Sequence, residues 1–315
     1  MTAPPRSFAT SAGTLALGER PLLMGIVNAT PDSFSDAGLH QTLDERVALA
    51  RTLLGAGAQI IDIGGESGVT NAPAVDPAEE IARVVPLIER VTGELGALVS
   101  VDTYKPPVAR AAIAAGAAIV NDVSGLRDPA LADVCAETGA GLILMHTRAA
   151  PKQRRLDPSL DATIVDDVES FLGERIALAL ERGVPFEQLM LDPGPDFSKT
   201  PAQTVAVLRA VERLHALERP LLLAASRKDF IGAITARPPR ARLAGTLAAL
   251  GFGADAGMHV FRVHDVADAA DFLAVRAVLR GEQELDRGAR LPDRLRWQQA
   301  SSPAGSAQAG EGVGR

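Results

Sequence analysis

Short apolar runs recur along the chain, each followed by a polar or glycine-rich break and then a longer stretch with helical spacing. They are LLMGIVN (22–28), QIIDIGG (59–65), ALVSVD (97–102), AAIVND (117–122), GLILMH (141–146), QLMLDP (188–193), PLLLAAS (220–226) and MHVFRVH (258–264). Runs this short and apolar suit strands buried on both faces, as in a parallel sheet. Between them, Asp76-Pro77, Pro106 and Asp128-Pro129 read as helix starts, and Gly139 and Gly183 as stops. Further helices are expected within 160–182, 201–217, 240–256 and 265–280. This alternation predicts an α/β fold. Eight βα units favour a closed (β/α)8 TIM barrel over an open doubly wound sheet. No GxGxxG follows the first run, which counts against a dinucleotide-binding fold.

The two ends break the pattern. Residues 1–12 are rich in Pro, Ser, Thr and Ala, and the chain beyond about 300 is rich in Gly, Ala and Ser. Such segments bury too little surface to offset ordering entropy. The expected organisation is a tail over 1–18, one barrel domain over 19–283, and a mostly disordered tail over 284–315.

Composition narrows the function. Acidic residues number 39 and basic ones 32, so a generally basic, nucleic-acid-binding surface is disfavoured. Aromatic residues are 3% of the chain, too few for a base-stacking platform. A single cysteine, Cys135, excludes an intramolecular disulfide framework and a cysteine-based zinc cluster. It falls in a helix and reads as core. No apolar stretch is long enough to span a bilayer, and MTAPPRSFATSAG lacks a signal-peptide pattern, so a cytoplasmic location is expected.

In such barrels the chemistry sits at the C-terminal ends of the strands. Here those ends offer Asn28, Asp62 with Glu66, Asp102, Asn121 with Asp122, His146, Asp192, Ser226 with Arg227 and Lys228, and Arg262 with His264 and Asp265. One aspartate after a strand usually caps a helix, but polar groups at eight ends would converge on one rim. Arg262, His264 and Lys228 suit a phosphorylated anion. Buried Asp and Asn suit a nitrogen-rich ring with several N–H donors. The rim thus reads as an anion pocket beside a heterocycle pocket. The basic run RAAPKQRRLDP (148–158) is either a solvated loop or a further anion contact.

Several motifs resemble the dihydropteroate synthase family: MGIVNATPDSFSDAG (24–38), DIGGES (62–67), SVDTYK with VNDVSGL, LMHTR, LDPGPDF, SRKDFIG and RVHDV, in family order over about 20–280. The resemblance implies a barrel that joins 4-aminobenzoate to 6-hydroxymethyl-7,8-dihydropterin diphosphate, releasing dihydropteroate and diphosphate in folate synthesis. It also implies Mg2+ and a homodimer. By the same resemblance, Asn28 meets the Mg2+–diphosphate, and Asp102, Asn121 and Asp192 bind the pterin edge. Met145 lines the pocket, Lys228 contacts the pterin, Arg262 stacks on the ring and reaches the anion, and His264 binds the diphosphate.

The chain also departs from the family pattern. Gly68 and Val69 stand where a threonine and an arginine are expected, which removes a hydroxyl and a charge from the anion side. Each charge-assisted bond is typically worth about 1.5–3 kcal/mol. Asp229 replaces the usual serine, either capping the next short helix or altering the arylamine pocket, and Pro195-Asp196 stiffens a glycine-rich turn. A divergent pterin-binding paralogue with altered transfer activity is the alternative these departures raise.

Overall fold

The computed structural model describes residues 6–18, 20–30, 42–68, 70 and 73–296. A hairpin comes first, β1 (Arg6–Thr10) and β2 (Gly13–Leu17). The eight apolar runs then form β3 (Leu22–Asn28), β4 (Ile60–Gly64), β5 (Leu98–Asp102), β6 (Ile119–Asp122), β7 (Gly141–Met145), β8 (Leu189–Asp192), β9 (Leu222–Leu223) and β10 (Val260–Val263). The helices are α1 (Leu43–Gly55), α2 (Pro77–Leu95), α3 (Pro106–Ala114), α4 (Ala130–Thr138), α5 (Ile164–Glu181), α6 (Pro201–Arg209), α7 (Asp229–Thr235), α8 (Leu243–Asp255) and α9 (Val266–Leu279).

All eight strands pair in parallel, in the order β8-β7-β6-β5-β4-β3-β10-β9. A parallel bridge between Leu191 and Leu221, with the Leu191 N–H on the Pro220 carbonyl at 2.9 Å, joins the two ends. The sheet is therefore a closed barrel, as the eight βα units predict.

The period of two sorts each strand. Outward residues such as Val27, Ile61, Ile63, Val101 and Leu144 pack under the helices in the large core. Inward residues Met24, Ile60, Ile119, Ile143, Met190, Leu222 and Val260 fill the barrel interior. Helix ends follow local chemistry. Asp76 Oδ1 accepts the Ala78 N–H (2.8 Å), and Gly96 stops α2 in the left-handed region (φ 61°). Helix α1, absent from the helices read by spacing, is marked by a Thr42/Glu45 capping box. The expected helix over 201–217 is α only to Arg209, and a 3-10 segment, Val211–Leu217, completes it.

The N-terminal tail expected over 1–18 is corrected by the hairpin. Phe8 and Leu17 are fully buried among the inward residues and close the N-terminal mouth of the barrel. Arg219 donates to the Ser7 carbonyl and anchors it (3.2 Å). Two large apolar side chains among many small polar ones are enough to order this segment, because the barrel floor is apolar and otherwise open to water. At the other end, residues 284–296 are exposed and carry one short 3-10 turn, Asp293–Leu295. Trp297 and the rest of the expected C-terminal tail lie outside the described residues.

Candidate active site

Above the apolar layers the same inward parity turns polar. Asp62 follows Ile60, Asp102 follows Ser100, Asn121 follows Ile119, Asp192 follows Met190, and Arg262 follows Val260. These groups therefore share the upper interior of the barrel.

Arg262 is the centre of the cluster. Its Nε donates to Asp62 Oδ2 (2.6 Å) and its Nη2 to Asp102 Oδ2 (2.8 Å). Asn121 Nδ2 donates to the same Asp62 oxygen at 3.3 Å. Asp62 is wholly buried, and its Oδ1 has no partner among the described residues. Nor has the hydroxyl of Ser100, its register neighbour. A buried acceptor of this kind calls for a water or a ligand N–H. Burial pushes Asp102 up to about 7, against the pull of Arg262, with Asp62 adding repulsion. Burial likewise raises Asp192, whose Oδ1 accepts the Gly194 N–H at 2.7 Å. Among three carboxylates and one guanidinium held inside the barrel, charge is placed by geometry and not by solvent.

Lys228 ends the loop after β9. Its ammonium lies 4.0 Å from the centroid of the Phe197 ring, and burial lowers its pKa although Asp196, Asp192 and Asp102 oppose the shift. The loop itself is held by Arg242, which donates to the carbonyls of Arg227 (2.9 Å) and Lys228 (3.1 Å). Arg227 adopts a left-handed backbone (φ 59°) and pairs with Asp265. Across it, Ser226 Oγ accepts the His264 backbone N–H (3.2 Å) and sits 2.9 Å from His264 Nδ1. Burial, with Arg227 and Arg262 adding to it, holds His264 down to about 3, so the imidazole is neutral.

The turn after β8 carries Phe197 between two residues with positive φ, Asp196 (65°) and Ser198 (53°). Gly194 (φ 64°) runs so close to the loop after β7 that a Cβ there would sit 2.1 Å from the His146 carbonyl oxygen. Its neighbour Met145 is buried at the end of β7.

Other strand-end groups serve the scaffold. Asp122 accepts the Ser124 N–H (2.8 Å) and the Leu126 N–H, and so shapes a turn. Glu66 belongs to a buried ion network: Lys105 Nζ reaches Glu66 (2.6 Å), Glu80 (2.5 Å) and the Val75 carbonyl (2.6 Å), and Tyr104 donates to Glu66 at 3.0 Å. This network closes the base of the loop after β4. His146 is wholly buried between Asp167 and Lys199. Cys135 is buried in α4 and burial raises its thiol, which makes it core. Asp229 is corrected on one point: its carboxylate caps no N–H, is 78% exposed and pairs with Arg242 (2.9 Å). Of the basic run after β7, Lys152 bonds the Ser67 carbonyl (2.5 Å) across the barrel mouth, whereas the Arg155 side chain is 67% exposed. Val69 and the loop 31–41 lie outside the described residues.

Sequence reading places Asn28, Asp102, Asn121, Met145, Asp192, Lys228, Arg262 and His264 at one barrel mouth. It assigns no role to Asp62, although that residue holds Arg262, and none to Phe197 or Lys199. Strand parity was the available signal for Asp62. The other two are on an irregular turn with no period.

A metal is the remaining question for this site. Among the described residues no group of three or more His, Cys, Asp or Glu side chains forms a metal cage. Asn28 closes β3 at the same end of the barrel and carries an amide oxygen. A Mg2+ that keeps its waters and phosphate oxygens would need no more than one such oxygen from the protein.

Comparison with known proteins agrees with this geometry. Residues 24–264 match the pterin binding enzyme family. The chain is 44% identical over 262 residues to the dihydropteroate synthase of Bacillus subtilis, covering 83% of this chain and 89% of that one. The fold matches the Xanthomonas albilineans dihydropteroate synthase structure with 4-aminobenzoic acid at a TM-score of 0.78 and 42% identity, covering 87% of this chain and 98% of that one. It matches a Yersinia pestis dihydropteroate synthase–sulfonamide complex at 0.82 and 35%, covering 88% and 100%. With the clamped Arg262 at the mouth of a closed barrel, these likenesses place the chain in the pterin binding enzyme family, among the dihydropteroate synthases.

Proposed function

We propose that the chain condenses 6-hydroxymethyl-7,8-dihydropterin diphosphate with 4-aminobenzoate, giving 7,8-dihydropteroate and diphosphate. The observation that carries this reading is Arg262 held flat by two carboxylates, Asp62 and Asp102, inside a barrel mouth that also presents Asp192 and Lys228.

Asp102, Asn121 and Asp192 accept and donate hydrogen bonds to the edge of the pterin, and Met145 packs on its face. Arg262, pre-set by its two carboxylates, covers the ring and faces the departing anion. In the reaction the bond from the pterin methylene to the diphosphate oxygen breaks, and the arylamine nitrogen bonds to that carbon. The ring nitrogen of the pterin stabilises the positive charge, and the arylamine N–H proton passes to water after attack. Arg262 and the neutral His264, through its N–H, stabilise the charge that grows on the leaving oxygen. Lys228 and Phe197 form the wall on which the arylamine lies. When bound, Mg2+ neutralises diphosphate charge, and Asn28 is the residue that meets it. Catalysis is positioning and electrostatics with no protein nucleophile.

The protein also works as a homodimer in this reading. Phe252 on α8 and Val275 and Leu279 on α9 expose apolar surface on one side of the barrel, and Leu279 is 81% exposed. No helix among the described residues is long and apolar enough to cross a membrane, and we place the enzyme in the cytoplasm.

The test is diphosphate release by purified protein with and without Mg2+ and 4-aminobenzoate, alongside identification of the pterin product. Release matched by dihydropteroate and dependent on both supports the synthase. Tight pterin binding with no such product refutes it in favour of the divergent paralogue. Sedimentation velocity, with Leu279→Glu as a disrupting variant, tests the dimer.

A further inference from the structure

Lys199 is buried to 3% exposure, and among the described residues its hydrogen bonds go to an imidazole and backbone carbonyls and to no carboxylate. Its Nζ donates to His146 Nδ1 (2.6 Å), to the Gly194 carbonyl (2.9 Å) and to the Phe197 carbonyl (3.3 Å), and lies 3.4 Å from the His146 carbonyl. Burying an ammonium is costly unless every donor is used. Here every donor is spent on one turn and the strand end beside it.

The line continues outward. His146 Nε2 lies 3.0 Å from Asp167 Oδ2, and Arg148 Nε donates to the same oxygen at 2.8 Å. An ionised Asp167 only accepts, so it fixes the proton of His146 on Nε2 and leaves Nδ1 as the acceptor Lys199 needs. Burial keeps His146 neutral, down to about 2. Inward, the Gly194 N–H holds Asp192, and Phe197 faces the Lys228 ammonium. Ser198 reinforces the link by accepting the Ala149 N–H at 2.9 Å. The turn that Lys199 threads holds two strained residues, Asp196 and Ser198, on either side of Phe197. Such conformations persist only where the surroundings over-determine them.

We infer that Asp167, His146 and Lys199 form a positioning relay that locks the 194–198 turn and thereby sets Phe197 against Lys228 in the arylamine subsite. The inference rests on the synthase reading above and deepens it. It makes Lys199 a positioning residue, since it touches the turn and not the substrates.

The relay depends on protonation. An ammonium serves three acceptors, whereas a neutral amine has two N–H groups and a lone pair that would face an acceptor. Burial brings Lys199 down to about 7. The charged groups facing it are Asp192 on β8, Asp196 on the turn, Lys228 after β9 and Arg148 after β7. The arylamine subsite should therefore slacken as pH rises through neutrality.

The experiment measures KM for 4-aminobenzoate at saturating pterin diphosphate and Mg2+, from about pH 6 to about pH 9, in the wild type and Lys199→Met. Wild-type turnover is read first. No dihydropteroate from wild type refutes the functional reading itself. With an active wild type, Lys199→Met is expected to raise KM for the arylamine about tenfold at the acid end, with kcat changed less than about threefold. Its KM should also lose the rise that the wild type shows across neutrality. Asp102 titrates in the same range but remains in both proteins, so the difference isolates Lys199. An unchanged KM, or the same pH dependence in both, overturns the inference. If Lys199→Met does not fold, Asp167→Leu tests the outer end. It should raise the arylamine KM, and Asp167→Asn, whose amide oxygen still accepts from Nε2–H, should recover most of it. Equal KM values in all three overturn the relay.

Discussion

The hairpin at the barrel floor offers the sharpest test of how this fold is held. Phe8 is fully buried against the inward residues, and the Cβ that a side chain would add at Gly141 lies 2.5 Å from Phe8 Cζ and 3.1 Å from the Ala9 carbonyl. Phe8→Ala removes a ring of roughly 150–250 Å2, or about 4–6 kcal/mol at 25 cal/mol/Å2. Core Phe→Ala substitutions cost about 3–5 kcal/mol, the range expected here. Gly141→Ala alone forces the ring aside and should cost about 1–3 kcal/mol. In the Phe8→Ala background the added methyl enters vacated space, so the second substitution should cost little or stabilise. The double-mutant cycle should then show a coupling of about 1–3 kcal/mol in favour of the pair. Urea unfolding of the four proteins measures it, with KM for both substrates read below the transition as a control. Those KM values should stay within about twofold, because the floor and the mouth lie at opposite ends of the strands. A Phe8→Ala cost under about 1 kcal/mol, or additive effects, would refute the view that the hairpin plugs the barrel.

Four further outcomes follow from the site. Asp62→Ala leaves Arg262 with one carboxylate and should lower kcat/KM for the pterin diphosphate about a hundredfold or more, since breaking a buried pair costs about 3–5 kcal/mol; a loss under tenfold speaks against the clamp. Asp102 is raised to about 7, so the folded protein binds its proton where the unfolded chain has lost it. Its contribution to stability therefore falls as pH rises from about 4 to about 7 and then levels, and Asp102→Asn should flatten that part of the urea-stability profile. Among the described residues nothing lies within 4 Å of a Cβ built on Gly68. Gly68→Thr should therefore fold normally and lower KM for the diphosphate substrate about two- to threefold, the low end of roughly 0.5–1.5 kcal/mol for one added hydrogen bond. Asp229→Ser removes an exposed carboxylate and should change stability by less than about 0.5 kcal/mol, whereas a large fall in the arylamine KM would show that the carboxylate repels the substrate.

Much of this protein is legible without coordinates because its signals are local and periodic. Eight apolar runs, each too short for a helix and too apolar for an exposed strand, specify a parallel sheet with helices over it. Proline at the starts and glycine at the stops mark most helix ends. The polar residues at or near the ends of the runs fall at the rim, where the chemistry of such a barrel sits. Asn28, Asp102, Asn121, Asp192, Lys228, Arg262 and His264 can be named on that ground and on the motifs around them.

Tertiary structure decided the rest. Phe8 and Leu17 look like isolated apolar residues in a tail until the open floor of the barrel gives them something to bury. Asp62 lies in the middle of β4 and Asp122 closes β6, and strand parity sends one into the pocket to hold Arg262 and the other out to shape a turn. Asp229 lies next to Lys228 in sequence, but the first turn of α7 directs its carboxylate to solvent and Arg242. Lys199 is surface-like by composition, yet the fold buries it against His146 and the carbonyls of Gly194 and Phe197. Side-chain period and helix capping act over a few residues and can be read from the chain. Which side chains share a buried interior, and which must find partners there, depends on closing strands that are distant in sequence.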